Sequence, residues 1–69
     1  MKKKIIIEGM SCGHCVNHVY MALDEIRAID IKVNLEQGNA VAEVGDITDD
    51  VIKEAIEEAG YDVVGIEEV

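Results

Sequence analysis

A two-layer α+β sandwich, with two helices on one face of a four-stranded antiparallel sheet, is predicted by three features of this chain. Apolar residues recur at helical spacing in two stretches, 13–27 and 49–59. Runs rich in isoleucine and valine, whose branched side chains suit a pleated surface, lie before, between and after them. The resulting order is strand, helix, strand, strand, helix, strand. Two split right-handed crossovers fold that order into a ferredoxin-like βαββαβ sandwich, with the first and third strands at the centre of the sheet.

The first strand is Lys3 to Glu8, in which Ile5 and Ile7 face inward and Ile6 faces the other way, because side chains alternate along a strand. Gly9 to Gly13 is a loop, with Ser11 or Cys12 near the N-cap of the following helix. From Gly13 to about Arg27, Val16, Val19, Leu23 and Ile26 form one narrow stripe that Cys15 borders, and His14 and His18 fall on the side toward water. Ile29, Ile31, Val33 and Leu35 alternate with Asp30, Lys32 and Asn34, the pattern of a half-buried strand. A turn at Glu36–Asn39, with Gly38 able to take positive φ, leads to a second strand through Ala40, Ala42 and Val44, so the pair is a hairpin. Thr48 is the expected N-cap of the second helix, and Asp49 and Asp50 suit the positive end of its dipole. Val51, Ile52, Ala55, Ile56 and Ala59 form its apolar stripe, Gly60 stops it at C′, and Tyr61 to Ile66 is the last strand. This order brings loop 9–13 to one end of the sheet, close to the turn between Ala59 and Asp62.

Sixty-nine residues make one small domain, 1–69, and an apolar fraction of 49% supports a packed core rather than disorder. The net charge of −9 argues against nucleic acid as a partner; such acidity more often serves solubility, and a basic docking partner is the alternative reading. Lys2-Lys3-Lys4 is followed by only three isoleucines before Glu8, too short for a signal peptide, and no stretch is long enough to insert in a membrane. Thiols without a secretion signal fit the reducing cytoplasm. A first strand directly after Met1, and an end just past the last strand, are expected of a standalone protein rather than an excised domain.

Both cysteines lie in Gly9-Met10-Ser11-Cys12-Gly13-His14-Cys15. Residues i and i+3 are neighbours on a helix surface, and a helix N-terminus favours anions, so two thiolates here face one point. Cysteines in Cys-X-X-Cys spacing have lowered pKa values and are reactive or metal-binding. Paired thiolates select Cu(I), zinc or related soft metals over calcium or magnesium. A disulfide between them would close a tiny loop and gain little chain entropy. If His14 and His18 turned inward, the two cysteines and two histidines could approach a four-ligand zinc site.

Together these residues resemble the heavy-metal-associated domain, and within it the small bacterial copper chaperones. The loop matches that family's Gly-Met-Ser/Thr-Cys-X-X-Cys, and Val33-Asn34-Leu35-Glu36 and Gly60-Tyr61-Asp62-Val63 match two further positions. The resemblance covers nearly the whole chain. It implies that Cys12 and Cys15 bind one Cu(I), that Met10 packs beneath the loop as a core residue, and that Tyr61 stands near the site. His14, inside the loop but turned outward by helical phase, is expected to tune the local charge. Delivery by thiolate exchange to a copper-transporting P-type ATPase or similar acceptor follows from the same likeness, with no reaction catalysed. The expected state is a monomer, a metal-bridged dimer being the alternative. Where the family has Gly-Val after the first helix, this chain reads Arg27-Ala28-Ile29 and is one residue shorter.

Two other classes compete. One is a metal-binding domain of a P-type ATPase, or a carrier of zinc, cadmium or mercury. The other is a thiol oxidoreductase, because Cys12-Gly13-His14-Cys15 is also the active-site string of disulfide isomerases of the thioredoxin fold. Resembling enzymes carry a cis-proline beside the thiols and an aromatic residue before them, whereas this chain has no proline and places Ser11 before Cys12.

Overall fold

The computed structural model describes residues 1–10 and 13–69; the expected N-cap at Ser11 or Cys12 lies outside the described residues. The elements are β1 (Lys2–Glu8), α1 (Gly13–Glu25), β2 (Ile29–Asn34), β3 (Asn39–Glu43), α2 (Asp49–Glu58) and β4 (Asp62–Glu68). The sheet runs β2-β3-β1-β4 with every neighbouring pair antiparallel, so β1 and β3 are central as the connectivity requires. Both helices pack on one face. The core forms where Ile5 and Ile7 of β1 and Ala40 and Ala42 of β3 meet Val19 and Leu23 of α1 and Ile52 and Ile56 of α2, all buried. Ile6 is only half-buried, as its place on the opposite face demands.

The caps predicted for the second helix are present at both ends, Thr48 before it and Gly60 after it. Thr48 is the N-cap of α2 and its hydroxyl accepts from Val51 N at 3.3 Å. Asp49 in that first turn also meets Lys3 Nζ, so an ion pair joins α2 to β1. Gly38 closes the hairpin turn with φ of 67°. Among the described residues, no helix is long and apolar enough to cross a membrane.

Four details depart from the expected pattern. Helix α1 ends at Glu25 rather than near Arg27, because the backbone there turns left-handed: Arg27 has φ of 69°. Arg27 N donates to Asp24 O at 3.0 Å and Ala28 N to Leu23 O at 3.1 Å, the paired bonds of a Schellman cap with Arg27 at C′. The shortened segment thus closes its helix without the glycine that usually stands there. In β2, the register shifts between Ile29 and Lys32 and Asp30 takes φ of 52°. A one-residue slip inverts the facing of a strand, so Ala28 turns inward and Ile29, expected inward, is 60% exposed. Val51 is 45% exposed because it sits about 100° around the helix from Ile52, at the margin of the stripe. The last strand continues past Ile66 to Glu68, where it pairs with Lys3 of β1.

The left-handed Arg27 leads to a prediction. A side chain in that conformation costs about 1–2 kcal/mol, which glycine avoids while bringing more entropy to the unfolded chain. Arg27→Gly should raise the unfolding free energy by about 0.5–1 kcal/mol in urea titration. A fall in stability would mean that the arginine side chain, not the backbone, holds this corner.

Candidate metal centre

Three segments converge at one end of the sandwich. The first leaves β1: Gly9 has φ of 93°, and Met10 is half-buried against the core. The second is the start of α1. Gly13 and His14 are exposed, whereas Cys15, its third residue, is half-buried and packed against the core. Cys12 lies outside the described residues.

The third segment is the end of α2. Gly60 N donates to Glu57 O at 3.0 Å and Tyr61 N to Ile56 O at 3.3 Å, and Gly60 takes φ of 100°. This too is a Schellman cap, in which the residue at C″ packs apolar surface back on the helix. Tyr61 occupies C″ and is accordingly buried, at 9% exposure. Its ring meets the start of the cysteine segment: Cδ1 is 3.7 Å from the position a Cβ on Gly9 would take. The predicted closeness of the two loops is thereby realised, and Tyr61 stands at the loop's near edge.

The two helices differ in what their N-termini hold. Helix α2 carries Asp49 and Asp50 in its first turn, whereas α1 carries no carboxylate in its own. The described first turn of α1 thus places no acidic side chain against the positive end of its dipole.

Sequence reasoning placed Cys15, Met10 and Tyr61 at this end and placed His14 in water, where the structure has it. His18, read as a solvated surface residue, is indeed exposed, but its contact with Tyr61 was not foreseen. Although His18 is exposed overall, its Nδ1 lies 3.1 Å from Tyr61 Oη, with ring centroids 6.4 Å apart. Only three-dimensional closure could reveal this, since the two residues are 43 positions apart and helical phase alone turns His18 outward. Among the described residues, no three His, Cys, Asp or Glu side chains gather as a metal-holding group.

The model of the heavy-metal-associated domain matches residues 4–62. This chain belongs to that family. Relatives within it include a protein named copper chaperone CopZ from Staphylococcus epidermidis, 46% identical over 67 residues that span 91% of this chain and 98% of the relative. A solved structure titled CopZ metallochaperone superposes with a TM-score of 0.86 at 40% identity, covering 93% of this chain and all of that one. A copper binding domain from HMA7, described as a P-type ATPase, superposes at 0.84 with 30% identity, covering 97% of this chain and 99% of that one. The ferredoxin-like architecture of heavy-metal-associated domains is thus reproduced over nearly the whole molecule.

The cap at Gly60 makes the site's geometry testable. Gly60→Ala places a Cβ at φ of 100°, a strained conformation for any L side chain. Stability should fall by about 1–3 kcal/mol in urea titration. The Tyr61 ring proton resonances should move, while those of Tyr20, on the exposed side of α1, stay in place. Unmoved Tyr61 signals would show that the cap does not set that ring.

Proposed function

We propose that this chain is a cytoplasmic carrier of one Cu(I), held between the thiolates of Cys12 and Cys15 and handed to an acceptor such as a copper-transporting P-type ATPase. The observation that carries this reading is the setting of Cys15. It lies half-buried in the first turn of a helix whose N-terminus lacks carboxylates, three positions after a second cysteine, in a chain of the heavy-metal-associated family. The names of the chaperone relatives support copper as the cargo. The chemistry of the donors supports its reduced state, since soft thiolates suit Cu(I).

Two protein ligands leave the ion room to accept a third. In the exchange, a thiolate of the acceptor bonds to copper first, and one cysteine of this chain then leaves, so copper–sulfur bonds are made and broken in equal number. Copper stays Cu(I) throughout and no bond in any other molecule changes, which makes the chain a carrier rather than an enzyme. Met10 supports the loop from below by packing on the core, and exposed His14 adjusts the charge around the thiolates. A four-ligand zinc centre draws less support, because His14 is exposed and His18 faces the phenol of Tyr61. The likeness to the ATPase domain favours a second reading, in which the same fold and thiols serve as the receiving domain of such a transporter.

Single variants test the two-thiolate site. Cys12→Ser and Cys15→Ser should each weaken Cu(I) binding by at least a hundredfold, about 2.7 kcal/mol, in competition with a chelator under anaerobic conditions. Far-ultraviolet circular dichroism should show the fold retained. Wild-type affinity in either variant would remove that cysteine from the site.

A further inference from the structure

The contact between His18 and Tyr61 is not required for two cysteines to bind copper, yet it links α1 to the end of α2 directly beside the metal loop. The backbone of Tyr61 is fixed by the cap at Gly60, and one edge of its ring is against Gly9. The ring itself is buried, at 9% exposure, and its hydroxyl reaches toward α1. His18 grips it at 3.1 Å.

We infer that His18 is a positioning residue: by holding the Tyr61 hydroxyl it keeps that ring as a wall beside the metal loop, and so sets how readily an outside ligand reaches the copper, given the carrier function proposed above. Three features give it this role. A phenol both donates and accepts, so it donates to Nδ1 in one imidazole tautomer and accepts from Nδ1–H in the other, and the grip does not depend on a single protonation state. His18 also follows Cys15 by three positions on the same helix, so anchor and ligand ride on one rigid turn and the wall keeps its place relative to the metal. That turn is itself pinned, because Val19 next to His18 is fully buried in the core. Release by an acceptor then requires displacing the ring or reaching the ion from the side the wall leaves open.

The test uses the whole chain with and without copper. In the apo protein, the carbon-13 shift of Tyr61 Cζ should change in His18→Leu and return toward the wild-type value in His18→Asn, whose amide occupies the place of Nδ1. In the copper-loaded protein, capture of Cu(I) by excess bathocuproine disulfonate, followed by stopped flow, should run at least threefold faster in His18→Leu and in Tyr61→Phe. The double variant should be no faster than either single, because both break the same bond. His18→Asn should stay within twofold of wild type. Multiplying effects in the double variant, or wild-type rates in both singles, would overturn the positioning role. A wild type that takes up no copper would instead overturn the carrier reading, while the Cζ shift would still show whether His18 holds the phenol.

Discussion

Burial of Ile5 and Ile7 beneath the two helices is the constraint on which the rest of this structure depends. Each such side chain contributes about 1.5–3 kcal/mol when removed from water, and both are at most 4% exposed. Because facing alternates along a strand, their burial fixes which face of β1 meets the helices, and among the described residues β1 is the strand hydrogen-bonded to both β3 and β4, its register with β4 shifting between Ile6 and Ile7. It also fixes where β1 ends. Gly9 and Met10 are delivered to one end of the sandwich with their direction already set, and the cysteine segment begins from that point. The start of the cysteine segment, Gly9 and Met10, thus takes its position from the core.

The two helices are closed by the same pair of main-chain hydrogen bonds but with different residues at the left-handed position. At the end of α2 it is Gly60, which adopts it without a steric penalty; at the end of α1 it is Arg27, which does not. The residues that follow show what the motif accomplishes. Ala28 and Tyr61 each occupy the next position and each is turned into the interior. At the end away from the cysteine segment this merely seals the core. At the near end it sets a large aromatic ring against the exit of β1, where α1 also begins, and His18 from α1 meets it there. A structural cap and an element of the candidate site are therefore one feature.

Much of this was legible in the sequence because it rests on local rules. The facing of Ile5 and Ile7, the cap at Thr48, the stop at Gly60 and the hairpin turn at Gly38 each follow from residue type and spacing. So does the juxtaposition of the cysteine segment with Tyr61, once the order of elements defines the topology. What was not legible has a common physical origin. The outward turn of Ile29 depends on a bulge that no residue type announces, since Asp30 carries the positive φ. The early end of α1 depends on Arg27 adopting a conformation that its side chain disfavours. The bond from His18 to Tyr61 depends on the packing of two helices far apart in sequence. Periodicity describes which face a residue occupies, not which neighbour arrives there.

The central claim is that copper is held by the sulfurs of Cys12 and Cys15 and by no histidine of this chain. X-ray absorption at the copper edge of the anaerobically loaded, monomeric protein measures this most directly. Two sulfur scatterers with no nitrogen in the first shell, and an edge of reduced copper, are the predicted result. A nitrogen scatterer that disappears in His14→Ala or His18→Ala would contradict the account.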